Sequence, residues 1–409
     1  MITDPTGKTF ISYRRRHLTE IERLVLALHD HGVPTWQDVT DLNAEPTPDE
    51  LRRVLADSGT AGAMLWITPD VEDSPIILKI EVPGMLARKK KGDGFFVQPV
   101  AAGGLDYGEA AEKVDRHLGV ESLQRWNLEK AEGDPIEAAE AARIADLVLR
   151  RRIKEINRAL PPGEPLQLRI HTRGKAPFVP GVALNLDWAG RFEGRLAGPE
   201  AWDDRLLPAV RTVAATVREL ASERPIEAEG LCSLPAAMAL GAAFLAPSGP
   251  ELRWRQRKPG REDQEWSLSV AKQDSGIETD LVENDASSED VAVLISINRD
   301  VEEAVKESAD QVPNFRGYVL VRGPNGEDVD LETPQQAVDA AYRTVEAIKR
   351  ANRKWRGIRR LHLFMAAPAG FAVMFGQLVN GLGPVQTYEH LPQDAIGVYR
   401  RAALLHPGA

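Results

Sequence analysis

The sequence predicts an α/β protein of more than one domain, and three observations predict it. Strand-like runs alternate with amphipathic helical stretches, several of those runs are apolar almost throughout, and one strand–helix pattern occurs twice. A parallel strand is covered by helices on both faces, so it reads as unbroken apolar sequence rather than as alternation. At 409 residues the chain exceeds what one hydrophobic core ordinarily organises. Hydrophobic residues make up 43% and charged residues 27%, a balance that excludes a disordered chain.

The elements follow in order. Thr9–Tyr13 is a β-rich run, and Ile21, Leu24, Val25 and Leu28 then share one helix face. Gly32 punctuates, Val33–Trp36 reads as a second strand, and a polar loop runs from Gln37 to Pro48. Leu51, Val54 and Leu55 mark the next helix; Ala63–Ile67 and Phe95–Val100 read as buried strands. From Asp134 to Leu160 a helical connector is expected, favoured by Ala138, Ala139, Ala141 and Ala142 and stopped by Pro161-Pro162-Gly163. Arg150, Arg151 and Arg152 within it form a basic cluster whose simplest reading is a solvated helix face.

Beyond Leu166 the pattern repeats. Val182–Trp188 resembles Val291–Ile297 in type, and each is followed by a long amphipathic helix, carrying Val210, Val213 and Val217 in one case and Val338, Ala341 and Val345 in the other. Thr333, Pro334 and Gln336 form the start signal of the second. Each helix feeds a strand, Ile226–Leu231 or Leu361–Met365, and then a small-residue turn and an apolar helix. At one fixed offset Ser233 meets Pro368, Ala237 meets Ala372, and Gly241 meets Gly376. Two such halves imply a pseudo-twofold domain with a ligand pocket where strands end and helices begin. The acidic segment from Asp274 to Asp290 between them reads as a solvated loop.

Charge and composition exclude several functions. Fifty-one basic against 61 acidic residues leave a net charge of -10, which argues against broad adhesion to DNA, long RNA or anionic membrane but allows a local basic pocket. The single cysteine, Cys232, permits neither an intrachain disulfide nor a Cys-based zinc site, and no metal or cofactor is expected. The start, MITDPTGKTFISYRRR, has no signal-peptide core, and the apolar stretch Leu361–Val379 is interrupted by Pro368, Gly370, Gly376 and Gln377. A cytoplasmic protein is expected.

Phe10-Ile11-Ser12-Tyr13, the GVPTWQD string from Gly32 to Asp38, and Ser74 followed by Glu81 together resemble a bacterial TIR domain over roughly residues 7–120. The resemblance implies a flavodoxin-like parallel sheet and cleavage of NAD between nicotinamide and ribose. NAD is then a substrate, and Glu81 is the catalytic residue. Phe10, Ser12, Trp36, Asp38 and Ser74 would surround the substrate, Trp36 as an aromatic wall and Asp38 on the loop or a ribose hydroxyl. Ser74 is as readily a helix cap. The chemistry suits one carboxylate: nicotinamide leaves as a neutral molecule from a cationic ring, so no general acid is needed and the carboxylate stabilises the oxocarbenium charge. Ile76 and Ile77 replace the family's usual aromatic or cysteine, and Pro83 places Glu81 at a helix start.

LHLFMAAPAGFAVMFGQLVN with GPVQTYEH, and LCSLPAAMALGAAF in the first half, resemble a SAVED domain, a fused pair of CARF-like halves. The resulting organisation is a TIR domain at 1–125, a connector at 126–160 and a SAVED sensor at 161–409, with halves at about 161–272 and 288–409. The resemblance implies the effector of an anti-phage signalling system (CBASS), activated by a cyclic oligonucleotide, with cyclic tri-adenylate favoured, and assembling into an oligomer when ligand binds. Phosphates would meet the Ser233-Leu234 and Pro368-Ala369-Gly370 turns, and base edges Ser296 and Asn298. Trp188 and Tyr388 would stack on adenines, His390 would meet a phosphate, and Arg253 and Arg255 would supply positive charge. Core or surface roles compete for Trp188, Tyr388 and His390, and close helix packing competes for the turns. Two other functions stay open: a TIR module that only assembles, and a cyclase that makes a cyclic ADP-ribose messenger.

Overall fold

The computed structural model describes residues 2–37, 48–118, 123, 126–174, 177–246, 249–258, 260–326, 328–392 and 397–407. The chain divides into two compact units: Met1–Gln167 with Pro177–Leu186 and Ala215–Ala221, and Leu168–Ala176 with Asp187–Ala214 and Ser222–Ala409.

The first unit is built on strands β1 (Lys8–Ser12), β2 (Thr35–Trp36), β3 (Thr60–Ile67), β4 (Phe96–Ala101) and β5 (Glu129–Lys130). They pair in parallel in the order β2-β1-β3-β4-β5, the order of flavodoxin-type doubly wound sheets. Every residue of β3 and β4 is buried, as their largely apolar sequences require of central parallel strands. Helices α1 (Leu18–Asp30), α2 (Pro48–Ala56), α3 (Val82–Lys91) and α4 (Tyr107–Leu118) connect them. Ile21, Leu24 and Leu28 of α1, at the spacing of one helix face, are fully buried.

The connector is a single helix, α5 (Ala138–Ala159), and belongs to the first unit. Its basic cluster is not uniformly solvated. Arg152 is completely buried, donating to the carbonyls of Ala183 at 2.8 Å, Gly7 at 2.6 Å and Thr6 at 2.5 Å. Burial pushes its guanidinium down to about 9. A five-donor fork is the side chain suited to satisfying several carbonyls at once.

Two further sheets follow. β6 (Leu166–His171), β7 (Leu184–Asp187), β8 (Ile226–Leu231), β9 (Leu252–Gln256) and β10 (Gln264–Trp266) lie in the order β10-β9-β8-β6-β7. β11 (Glu278–Glu283), β12 (Asp290–Ser296), β13 (Gly317–Arg322), β14 (Arg360–Ala366), β15 (Val385–Leu391) and β16 (Val398–Leu405) lie in the order β11-β13-β12-β14-β15-β16. Read inward from the antiparallel pairs β9–β10 and β15–β16, the two orders coincide, with β11 added at the far edge.

The duplication is therefore present, but its strand equivalence differs from the one expected. The positional counterpart of β12 is β6, and Val182–Trp188 supplies β7, the counterpart of β13. The acidic segment is also corrected: Glu278–Glu283 forms β11, an edge strand antiparallel to β13. Its charges suit an edge, where they discourage pairing with a further strand.

The helices of the two halves are α6 (Leu207–Leu220) and α7 (Leu234–Ala243), and α8 (Glu302–Glu307), α9 (Pro334–Lys354) and α10 (Ala369–Gln377). The expected capping box opens α9, with Thr333 and Gln336 bonding reciprocally at 3.2 Å. α7 and α10 pack directly on each other through Gly241 and Gly376. A Cβ on Gly241 would lie 2.1 Å from the Val373 carbonyl oxygen, and one on Gly376 would lie 2.4 Å from that of Met238. The two glycines matched by the sequence repeat are thus the point of closest backbone approach.

Candidate functional site

Glu81 stands at the carboxyl end of the first sheet. Ile77–Glu81 forms one π turn that runs into α3, with Pro83 in the first turn of that helix. Proline has no N–H to bond the carbonyl four residues back and crowds it sterically, which accounts for the widened turn. Glu81 therefore lies inside a continuous helical run over residues 75–91, not at the helix start that Pro83 suggested. Ser12, the last residue of β1, donates its hydroxyl to Glu81 Oε2 at 2.5 Å. Glu81 is 8% exposed, so little water competes for this bond.

The other residues expected there behave differently. Phe10 is a core residue rather than a substrate contact, because its ring is buried and lies flat against Trp36, with centroids 5.0 Å apart and planes 13° apart. Trp36 is itself buried in that stack. Ser74 accepts from the Ile77 amide at 3.4 Å and so caps the helical run that begins at Pro75. Asp38 lies outside the described residues.

One carboxylate near this site escaped the sequence reading. Asp70, just beyond β3, accepts from Thr68 at 2.7 Å and meets His17 at 3.0 Å and Arg14 at 3.1 Å. Burial alone would raise its carboxyl, but the bonds from Thr68 and His17 hold it well below the usual range. The basic run Arg14–His17 after the first strand was its only signal. Among the described residues no group of His, Cys, Asp and Glu could hold a metal ion.

In the second unit, Pro368 is the N-cap of α10 and borders a cavity of about 610 Å³. Asn298, Gln256, Lys258, Arg261 and Asp330 also line it. Asn298 and Pro368 were expected at such a pocket, and Ala369 adjoins Pro368. Lys258 and Arg261 were missed; they follow β9 in a KPGR string that reads as a simple turn. Lys258 Nζ donates to the Leu331 carbonyl at 3.0 Å and lies 3.5 Å from Asp330.

Several expected ligand contacts are occupied otherwise. The Gly370 amide donates to Gln256 Oε1 at 2.9 Å, and a Cβ there would lie 2.6 Å from the Trp266 ring, so this glycine serves aromatic packing rather than an open phosphate turn. Arg253 lies 2.7 Å from Glu251 and 3.6 Å from Glu265, and Arg255 lies 3.8 Å from Glu227 and Glu229. Their charge is answered along the strand face. Ser296 holds the turn after β12, accepting from the Val301 amide at 3.2 Å. Ser233 is buried as the cap of α7, with half-buried Leu234 beside it.

Trp188 is a core residue, not a stacking platform: it is fully buried and meets Trp202 edge-on at 6.1 Å. Tyr388 is likewise buried, stacked on Phe364 at 4.4 Å and sharing a hydrogen bond with His362 Nδ1 at 2.8 Å. Burial pushes its phenol up to about 12. His390 packs edge-on to Tyr399 at 5.2 Å.

A charge pair between half-buried Arg173 and buried Glu389 also escaped the sequence reading. Arg173, just after β6, donates to Glu389 of β15 at 2.7 Å. Burial pushes the Glu389 carboxyl up to about 7 against the opposing pull of Arg173. Cys232 is near both, and burial pushes its thiol up to about 12.

Residues 210–405 match the family model described as SAVED, the SMODS-associated and fused to various effectors sensor domain, and the chain carries a SAVED domain over that segment. No curated protein matches the chain. The solved structures that resemble it include two of an Acinetobacter baumannii Cap4 SAVED/CARF-domain containing receptor. The one with the cyclic trinucleotide 3'3'3'-cAAA has a TM-score of 0.51 and 16% identity, covering 88% of this chain and 85% of that chain. The one with 2'3'3'-cAAA has a TM-score of 0.51 and 15% identity, covering 95% of this chain and 98% of that chain. At such identities the likeness is one of fold. Among the described residues no helix is long and apolar enough to cross a membrane.

Proposed function

We propose that this chain is a ligand-controlled effector of anti-phage signalling. Its SAVED domain takes up a cyclic oligonucleotide, and its first unit, a TIR domain, then hydrolyses NAD to nicotinamide and ADP-ribose. The SAVED match over residues 210–405 supports the sensing role. The similar Cap4 receptors carry cyclic trinucleotides of the cAAA type, which favours cyclic tri-adenylate as activator here.

One observation carries the enzymatic reading: the Ser12–Glu81 pair, 2.5 Å apart at the carboxyl end of a parallel sheet. Glu81 would lie against the ribose and oppose the positive charge that develops as nicotinamide departs. Ser12 orients the carboxylate through its bond to Oε2. The glycosidic C–N bond breaks with its electron pair leaving on neutral nicotinamide, and water then adds to the ribose carbon and releases one proton to solvent, which leaves ADP-ribose.

The test is to incubate the full chain with NAD, with and without cyclic tri-adenylate, and to separate the products by chromatography. Nicotinamide and ADP-ribose are expected only when the cyclic trinucleotide is present. Intact NAD across cyclic di-, tri- and tetranucleotides would remove the enzymatic reading while leaving the sensor reading to a direct binding assay.

A further inference from the structure

We propose that the first unit carries a separate anion site, built to hold a phosphate chain. It uses no residue of the Glu81 site or of the sensor cavity, so it stands apart from both. Helix α5 places Arg150, Arg151, Lys154 and Arg158 at spacings that bring them to one side of the helix. Lys89, in the last turn of α3, joins them around a cavity of about 570 Å³, with Asn127 and one acid, Glu155, also in its wall. That size suits a small ligand.

The charge is only partly neutralised locally. Arg150 lies 2.5 Å from Glu219 and Arg158 lies 3.3 Å from Glu155. Lys89, Arg151 and Lys154 make no ion pair among the described residues. A cation in a helix's last turn is ordinarily explained by the helix dipole, which accounts for Lys89 and Arg158. It does not account for Arg151 and Lys154, which lie further back in α5. On a chain with a net charge of -10, convergence of unanswered cations on one cavity makes a local positive potential that attracts anions.

The lining also limits what the anion is. Phe95 and Phe96, the aromatic residues of the wall, are 3% and 4% exposed and offer no face on which a base could stack. The site therefore reads phosphate and not base. Inorganic polyphosphate and the triphosphate tail of a nucleotide share that chemistry.

Calorimetric titration of the full chain with inorganic tripolyphosphate, ATP and GTP tests this. All three are expected to bind with affinities within about threefold of one another, and to weaken at least about tenfold between roughly 50 and 200 mM salt, because binding replaces counterions. The double variant Arg151→Glu, Lys154→Glu should lose at least about tenfold in affinity. The milder Arg151→Gln, Lys154→Gln should lose less while keeping circular dichroism and cyclic tri-adenylate binding unchanged. Absence of saturable tripolyphosphate binding, or equal affinity in both double variants, overturns the proposal. So does ATP binding without tripolyphosphate binding, which would show a base-reading site. Loss of binding in Lys258→Glu alone would move the anion to the sensor cavity and overturn it as well. Failure of NAD cleavage would leave every one of these readouts intact.

Discussion

A carboxylate that opposes positive charge on a ribose acts most strongly where little water competes, and Glu81, 8% exposed beside Ser12, has that setting. Glu81→Gln preserves the shape and the Ser12 contact but removes the charge, so NAD cleavage should fall by on the order of 100- to 1000-fold with cyclic tri-adenylate binding unchanged. Near-normal turnover would assign catalysis elsewhere. Glu389 makes a prediction of another kind. Burial pushes its carboxyl up to about 7 from the ordinary 4.5, against the opposing pull of Arg173. Between those values the folded chain keeps a proton that the unfolded chain has released. Stability should therefore fall as pH rises from about 4.5 to about 7 and level off above, by up to roughly 3 kcal/mol. Urea midpoints of the wild type and Glu389→Gln across that range would check this; the variant should lose the slope. Such single residues were unevenly legible in the sequence. Ser12 and Glu81 lie on a recognisable pattern, but residue type alone cannot tell a stacking aromatic from a core one, and Trp188 and Tyr388 proved to be core. Arg173 and Glu389 gave no local signal, because their pairing joins positions far apart in the chain.

Among the elements, the α7–α10 contact was the most legible, since Gly241 and Gly376 align at the same offset as the whole repeat. The physical reason is backbone approach: no side chain fits where a Cβ would sit 2.4 Å from a carbonyl oxygen. Gly376→Val should destabilise the second unit by on the order of 3 kcal/mol, because the Met238 carbonyl belongs to α7 and cannot rotate away as a side chain would. A lowered urea midpoint with reduced cyclic tri-adenylate binding is expected, and an unchanged midpoint would show that the helices separate at little cost. Gly370 is unsuitable as a probe of ligand contact, because any side chain there strikes Trp266; Asn298→Ala, on an exposed cavity residue, is the better choice. Strand equivalence was less legible. LQLRIH of β6 alternates apolar and half-exposed positions, whereas β12 is buried throughout, so their shared place in the fold leaves no common pattern. β11 was hidden for a related reason, because an edge strand tolerates a sequence as charged as a loop.

For the molecule as a whole, the proposed function requires that an event in a SAVED domain change what a buried carboxylate in another unit can do. A ligand shifts such an equilibrium only through a difference in its affinity for the two states. The TIR resemblance implies active sites completed between neighbouring chains, with the loop from Gln37 to Pro48 reaching across; residues 38–47 of that loop lie outside the described ones. A Glu81 already bonded to Ser12 and largely shielded fits a chain that is inactive alone. Under the proposed function, activation would be an assembly equilibrium driven by cyclic tri-adenylate, and mass action would give it two signatures. Activity per molecule should rise with protein concentration at saturating ligand and then level off. Mixing Glu81→Gln with Asp38→Ala should restore activity that neither has alone, because the mixture forms some sites with an intact glutamate from one chain and an intact loop from its neighbour. Light scattering decides between this and activation within one chain: full activity in a ligand-saturated sample that contains only monomers would rule out the shared site, whereas activity that appears only with larger species requires it.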